Sequence, residues 1–214
     1  MRYGELPKLV GNYKIEAKEM FFYQYLPIKL VGNTDIKVEH RLSCFNDIIG
    51  VICCDFIGEY GLDRFVNSYV YLTAKNMFVA PNCSYNRLGW HSDGFMTEDI
   101  NYIWSDKLPT VFNTSKFNLT QDDIVSMDEM SVQALPENDF CYNSGDLLRL
   151  NQFNIHRVAD IETVVLRCFL KLSFSVDKYD LLGNSKNYEL DYNWDMKPRK
   201  QSRNIPQSKI RTND

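Results

Sequence analysis

Two of the three histidines in this 214-residue sequence lie at positions that could hold a metal ion. His91 and Asp93 are two residues apart in the segment RLGWHSDG, so on an extended chain both side chains leave the same face. His156 follows 63 residues after Asp93, at the end of a strand-like run, and is expected to supply a third ligand. Two imidazoles and one carboxylate form the facial triad that suits iron(II) and leaves coordination positions open, whereas zinc prefers four tetrahedral ligands.

A fourth chemical group, Arg167, lies eleven residues after His156 inside the β-rich run 163–176. On a strand, the even-numbered residues of this run form an apolar face, while Arg167 and Lys171 share the opposite face with Phe169 and two serines. If that polar face lines a cavity, the guanidinium needs an anionic partner, and its fork of donors suits the distal carboxylate of a dicarboxylic acid. The alternative is a strand ion pair with one of the 28 acidic residues.

The order HxD, distant His and then Arg resembles the pattern of the 2-oxoglutarate- and iron(II)-dependent dioxygenases, with His91, Asp93, His156 and Arg167 at the matching positions. The resemblance implies a double-stranded β-helix, which is a jelly-roll variant, over about residues 65–180. It also implies bound Fe(II), with 2-oxoglutarate and O2 as co-substrates. The implied reaction couples oxidative decarboxylation of 2-oxoglutarate to hydroxylation of a second substrate, and Arg167 binds the distal carboxylate of 2-oxoglutarate.

The remaining contacts in such a site are expected from residues outside the motif. Several enzymes of the family carry a serine two residues after the arginine, where this chain has Phe169. The second contact to 2-oxoglutarate is therefore expected from Thr110, Asn82 or Tyr85. The second substrate is expected to be a small molecule, with a nucleobase or nucleotide as the weaker alternative. Aromatic candidates for binding it are Trp90, Phe95, Tyr102 and Trp104. Core or loop packing is the competing interpretation of these aromatic residues.

Two other classes of function remain open at this point. A cupin-like isomerase or epimerase uses the same β-architecture to hold a metal without oxygen chemistry. A non-catalytic jelly-roll binding module would not bring His91, Asp93 and His156 together at all. Convergence of the three ligands, with Arg167 in the same cavity, favours the dioxygenase over both alternatives.

The periodicity of apolar residues predicts the elements that position these groups. Helical spacing between Ser43 and Gly58 predicts a core-covering helix, with Ser43 as its N-cap and Gly58 or Gly61 at its end. Short β-rich runs follow at 68–73, 76–80, 108–112, 146–150, 155–158 and 163–176. A helical first quarter before many short strands predicts an α+β, mainly β protein, with a jelly-roll core and the N-terminal helix packed on the sheet.

Composition and charge set the broad class. With 44% hydrophobic and 24% charged residues, the chain is neither disordered nor fibrous. The longest apolar run, Ile48–Cys54, is too short to span a bilayer, and the first residues do not resemble a signal peptide. A cytoplasmic protein without a membrane partner is therefore expected. The six cysteines form no CxxC pair and are expected to be reduced core thiols.

The charge is unevenly distributed along the chain. Residues 196–214 contain six basic residues and one acidic residue, a net charge of +5, against −9 for residues 1–195. We expect residues 1–195 to form a single domain and residues 196–214 to form a basic, extended tail. An acidic body makes nucleic-acid binding by this tail weak, so folding back onto the body is the favoured expectation.

Overall fold

Nine strands and three α-helices make up the part of the chain that the computed structural model describes, residues 3–81 and 83–199. The strands are β1 (Lys8–Asn12), β2 (Phe21–Lys29), β3 (Tyr69–Val79), β4 (Ile100–Ser105), β5 (Val111–Asn113), β6 (Asp139–Cys141), β7 (Asp146–Leu150), β8 (His156–Arg157) and β9 (Val165–Ser175). The helices are α1 (Asn46–Tyr60), α2 (Leu62–Val66) and α3 (Val125–Gln133), with short 3-10 helices at His40–Phe45 and Pro136–Asn138. The protein is therefore mainly β, as the sequence predicts.

The strands form two sheets, in which every pair is antiparallel. The larger sheet has the order β1-β7-β4-β9-β3-β2, and the smaller has the order β6-β5-β8. The longest pairing joins β3 and β9, from Tyr69 opposite Ser175 to Val79 opposite Val165. An isolated antiparallel bridge between His91 and His156 adds one more segment beside β8.

Strand β9 separates the core from a cavity. Its even-numbered residues from Cys168 to Phe174 belong to the main hydrophobic core, where Phe174 stacks on Phe56 of α1 with ring centroids 3.9 Å apart. Its odd-numbered residues Arg167, Phe169 and Lys171 line a cavity on the other face of the sheet. The predicted division of this strand into an apolar and a polar face is confirmed.

Helix α1 covers the core face of the larger sheet. Ile48, Ile49, Ile52 and Phe56 are buried, which confirms the predicted apolar stripe. The expected N-cap was wrong, because Ser43 lies within the 3-10 helix that precedes α1. The helix ends at Tyr60 and is capped by the expected Gly61, whose φ of +87° suits glycine and whose N–H donates to Ile57 O at 2.9 Å.

The first quarter of the chain is not mainly helical, which corrects the expected element order. It contains β1 and β2 before the helix, and β4 and β6 were also missed. All six residues of β4 are buried, so its sequence lacks the alternation that marks a half-exposed strand. Strand β2 is irregular, because its pairing with β3 shifts register near Tyr25, whose φ is +47°. The runs predicted at 68–73 and 76–80 form the single strand β3.

The cysteines and the tail depart in part from expectation. All six thiols are free, but only Cys168 is buried, and Cys54 and Cys141 are exposed. Most of the expected tail, residues 200–214, lies outside the described residues. Its first residues run beside the segment that follows β9, where Lys197 forms an ion pair with Asp180 at 2.7 Å. Among the described residues, no helix has the length and apolar character needed to cross a membrane.

Candidate metal centre and cavity

The structure brings His91, Asp93 and His156 together. One potential ligand atom from each lies within 4.8 Å of the other two. The backbones of His91 and His156 exchange two hydrogen bonds, of 3.0 and 2.9 Å, and their ring centroids are 4.5 Å apart. Asp93 Oδ2 is 3.5 Å from His156 Nε2. The β-bridge therefore holds two residues far apart in sequence side by side, and the HxD spacing adds the carboxylate.

Backbone carbonyls fix which nitrogen of each imidazole is free to bind a metal. His91 Nδ1 is 2.9 Å from Gly89 O, and His156 Nδ1 is 2.9 Å from Asn154 O. A carbonyl oxygen only accepts hydrogen bonds, so Nδ1 donates in both rings and Nε2 keeps its lone pair. Metal-binding histidines are commonly oriented in this way.

Burial and charge keep His91 and Asp93 in the protonation states that a metal requires. Burial and the neighbouring His156 lower the pKa of His91 to about 3, so this imidazole is neutral near pH 7. Burial opposes ionisation of Asp93, but the ammonium of Lys171, 2.7 Å from Asp93 Oδ2, outweighs it and holds the pKa of the carboxyl well below its usual range. A neutral imidazole and an ionised carboxylate are the ligand forms of these residues. This donor set therefore fits a divalent metal ion.

Arg167 lies in the same cavity, 4% exposed, and retains unused donors. Its Nε donates to Lys107 O at 2.9 Å and its Nη2 to Leu108 O at 3.0 Å. These two bonds orient the guanidinium toward the loop that follows β4 and use two of its five N–H groups. Burial lowers the pKa of Arg167 to about 10, so the group is still a cation at neutral pH. A buried cation with spare donors is suited to binding an anion.

The cavity has a volume of about 340 Å³ and is lined by residues of both sheets. Thr110 and Phe95, two of the residues expected in the site, also line it. A cavity of this size accommodates a small molecule.

Other expected contacts are placed differently by the structure. Tyr85 is not among the lining residues, and its backbone carbonyl accepts a hydrogen bond from Lys75. Trp90 does not line the cavity either, and its ring packs under the guanidinium of Arg157 at 5.2 Å. Asn82 lies outside the described residues.

Tyr102 and Trp104 were expected to form a wall for the substrate, and the structure corrects this. Both lie on the core face of β4, 0% and 1% exposed. Tyr102 donates to Asp55 Oδ2 at 2.7 Å, and Trp104 Nε1 donates to Tyr13 O at 2.9 Å. Because successive side chains of a strand alternate between faces, the cavity is lined instead by Asn101 and Ile103.

Several charged residues of the cavity were not among the expected site residues. They include Lys75 on β3, Arg87 before the HxD segment and Arg199 near the end of the described chain. Lys75 falls between the two β-rich runs that were predicted separately, so its face could not be assigned. The alternation of Tyr71, Thr73 and Lys75 along one continuous strand was the available signal.

Compared by sequence, the chain matches no protein-family model and no curated protein. Solved structures that resemble it include a full-length Neurospora crassa protein in complex with alpha-KG, at 11% identity and a TM-score of 0.39 over 74% of this chain. The apo form of the non-heme monooxygenase ThoJ matches 62% of this chain at 10% identity and a TM-score of 0.33. This chain spans 55% of the length of each of these structures. Both TM-scores are low, so these likenesses carry no argument about fold or activity.

Proposed function

We propose that this protein is a non-haem iron(II) dioxygenase that couples oxidative decarboxylation of 2-oxoglutarate to hydroxylation of a small molecule. The observation that carries the proposal is the convergence of His91, Asp93 and His156, with both imidazoles oriented by backbone carbonyls. Two histidines and one carboxylate leave the open positions that a chelating co-substrate and dioxygen need.

On this proposal, the two sheets together form a double-stranded β-helix. The inner strands of the larger sheet, in the order β7-β4-β9-β3, would form one half of the jelly roll. The smaller sheet β6-β5-β8, extended by the His91 segment, would form the other half. Strands β1 and β2 then add one strand at each edge of the larger half.

The chain's own residues would have distinct roles in this reaction. His91, Asp93 and His156 would hold iron(II), and Arg167 would bind the distal carboxylate of 2-oxoglutarate, assisted by Thr110. When bound, the iron and 2-oxoglutarate supply the oxidising chemistry with O2. The protein orients the co-substrate through Arg167 and keeps bulk water out, since His91, His156 and Arg167 are all buried.

Arg167 separates this proposal from the two alternatives. A cupin-like isomerase requires the metal ligands but no cation for a distal carboxylate, and a binding module requires neither. In this chain the triad and a buried Arg167 line one cavity, which supports the dioxygenase.

Alanine substitution of the triad tests the proposal. His91→Ala, Asp93→Ala and His156→Ala should each lose bound iron after desalting under nitrogen and lose succinate release from 2-oxoglutarate, because each removes one of three protein ligands. His40→Ala, which changes the exposed third histidine, is the matched control and should retain both. Near-normal succinate release by any triad variant would overturn the assignment.

A further inference from the structure

We propose that the second substrate is a small organic anion, whose carboxylate or phosphate group is bound by Lys75 and Arg87 beside the triad. This assignment rests on the proposed function and names the substrate class that the function leaves open. The charges of the cavity, the partners of Lys75 and the position of Arg167 support it.

The cavity is basic although the whole chain is acidic. Among the described residues, six cations line it against three carboxylates, while the net charge of the sequence is −4. The cations are Lys75, Arg87, Arg157, Arg167, Lys171 and Arg199. One carboxylate, Asp93, belongs to the triad and is paired with Lys171. A second, Asp99, accepts a hydrogen bond of 2.5 Å from Tyr179. Arg157 is paired with Asp160 at 3.0 Å and Asp139 at 3.6 Å, outside the lining, and the other five cations still outnumber the three carboxylates that a ligand would meet.

Lys75 is held by two neutral oxygen atoms, and its ammonium lies 5.1 Å from the centre of the Phe22 ring. Its ammonium donates to Asn86 Oδ1 at 3.0 Å and to the carbonyl of Tyr85. Lys29, another buried lysine, donates to three carbonyls, those of Leu30, Val66 and Ser68, which uses all three of its N–H groups. Lys75 lines the cavity, and its two hydrogen bonds leave its third N–H available to a ligand.

Burial makes the charge on Lys75 costly without an added anion. Burial is the largest of the effects that lower the pKa of Lys75 to about 7, and the cations Arg167 and Lys171 add to it. Asp93 opposes these effects only in part. An anion in the cavity would favour the ammonium form and be bound by it in return.

Arg87 extends the same side of the cavity. It follows Asn86, the amide that holds Lys75, and its charge is close enough to His91 to act on that imidazole. Its Nη2 is 3.9 Å from Asp123 Oδ1, and the Asp123 side chain is 58% exposed. A pair this long and this exposed to water is weak, so the guanidinium is available to a stronger anionic partner.

Different loops hold the cation of this subsite and the cation proposed to bind 2-oxoglutarate. Lys75 is tied to residues 85–86, before the HxD segment, whereas Arg167 is tied to Lys107 and Leu108, after β4. Their hydrogen bonds therefore orient the two side chains toward different loops of one cavity. One dianion on Arg167 leaves the Lys75 and Arg87 side of the cavity, whose volume is about 340 Å³, for a second small anion.

Sulfate binding tests the subsite directly. The wild-type protein is loaded with Mn²⁺ and saturated with 2-oxoglutarate under nitrogen, and sulfate is then titrated by calorimetry. One sulfate should bind, and Lys75→Met and Arg87→Met should each weaken it about tenfold, because each removes a cation from the subsite. Lys116→Met, which removes an exposed lysine outside the cavity, is the matched control and should bind sulfate normally. Lys75→Arg should retain most of the sulfate affinity.

A variant that should strengthen sulfate binding distinguishes a change of charge from damage to the fold. Asp123→Asn removes the carboxylate beside Arg87 and should tighten sulfate binding. If Lys75→Met does not fold, Arg87→Met and Asp123→Asn still test the subsite. Absence of sulfate binding by the wild type after 2-oxoglutarate has bound would overturn the inference. So would a Lys75→Met variant that loses 2-oxoglutarate affinity as strongly as sulfate affinity, because Lys75 would then belong to the co-substrate.

A panel of paired compounds tests the substrate class. Small carboxylic acids and phosphate monoesters should stimulate succinate release, whereas the primary amides of the same acids and uncharged nucleosides should not. Stimulation by amides or nucleosides equal to that by acids would overturn the inference but leave the proposed function standing. Failure of the wild type to bind Mn²⁺ or 2-oxoglutarate, measured before sulfate is added, would overturn the proposed function itself.

Discussion

At the residue scale, the site depends on groups whose partners are fixed by backbone carbonyls. His91, His156 and Arg167 each donate to main-chain oxygens, so their free atoms face a defined direction. Main-chain oxygens cannot change rotamer, and such contacts hold a side chain more firmly than another side chain would. The orientation of these groups is therefore built into the loops that carry Gly89, Asn154 and Lys107.

Arg167→Lys should weaken 2-oxoglutarate binding by roughly ten- to a hundredfold while bound iron is unchanged. A lysine supplies one charge but not the planar fork, and its three N–H groups cannot hold two carbonyls and also give a carboxylate two parallel hydrogen bonds. The affinity is measured by titrating 2-oxoglutarate into iron-loaded protein under nitrogen. Arg41→Lys, an exposed position, is the control. Superimposable titration curves for wild type and Arg167→Lys would contradict the role given to Arg167.

The charge of Lys75 should appear in the pH dependence of stability. Its pKa is about 7 in the folded protein, below the ordinary value of 10.5, so between these values the unfolded chain binds more protons. The free energy of unfolding of the wild type, relative to Lys75→Met, should thus rise from pH 7 toward pH 10, by up to about 1.4 kcal/mol per pH unit. Below pH 7, Lys75 is protonated in the folded and the unfolded state, and the folded protein bears the full free-energy cost of the buried charge. Urea unfolding at several pH values measures the difference, and a difference independent of pH would refute the low pKa.

At the element scale, the alternation along β9, β3 and β4 decides which side chains reach the cavity. Helix α1 covers one face of the larger sheet, so the apolar residues of these strands must point toward it. The other face is then left for Arg167, Lys75 and Asn101. The turn before β7 helps to hold this arrangement, because Gly145 accepts from Tyr13 N and donates to Ser105 O, each at 2.8 Å.

Glycine substitutions at two positions should change stability in opposite directions. Gly145 has a φ of +86°, and an added Cβ would lie 3.0 Å from Tyr13 O. Gly145→Ala should therefore lower the free energy of unfolding by roughly 1–3 kcal/mol. Gly50 lies inside α1 with no atom within 4 Å of an added Cβ, so Gly50→Ala should stabilise by about 0.5–1 kcal/mol. Thermal unfolding measures both. A stable Gly145→Ala would show that this turn tolerates another conformation.

At the scale of the whole molecule, the cavity is assembled from distant parts of the chain. Its lining runs from Gln24 on β2 to Arg199, and it uses both sheets. The segment after β9 closes one side, where Leu181 and Asn184 lie in the lining. Arg199 Nε donates to Leu182 O at 2.8 Å, which ties the end of the described chain to this wall.

Two truncations separate the contribution of residues 196–199 from that of the rest of the tail. A chain ending at Asp195 lacks Lys197 and Arg199, and should bind sulfate roughly two- to fivefold more weakly, because a cation of the lining is removed. Its melting temperature should fall, because the truncation also removes two main-chain hydrogen bonds, from Leu182 N to Lys197 O at 2.8 Å and from Lys197 N to Asp180 O at 2.7 Å. A chain ending at Arg199 should match the full-length protein. Equal sulfate affinities for both truncations would exclude a role for Arg199.

The sequence was sufficient for features that depend on local order. The two-residue spacing of His91 and Asp93, the stripe of α1 and the two faces of β9 follow from the geometry of an extended or helical chain. Sequence order also placed Arg167 after His156 on a strand. These predictions need only the period of the element, so no knowledge of its neighbours is required.

Tertiary structure decided the features that depend on which segments meet. The even-numbered residues of β4 face α1, which put Tyr102 and Trp104 in the core, and nothing within their own strand reveals that choice because all six residues are buried. Lys75 enters the cavity only because β3 pairs with β9 across a continuous register. Strands β1 and β2 are the edge strands of the larger sheet, and their register shifts near Gly11 and Tyr25 break the regular alternation that marks a strand in the sequence. The periodicity of a helix or strand depends on residues close in sequence, whereas long-range packing decides which of its faces is buried.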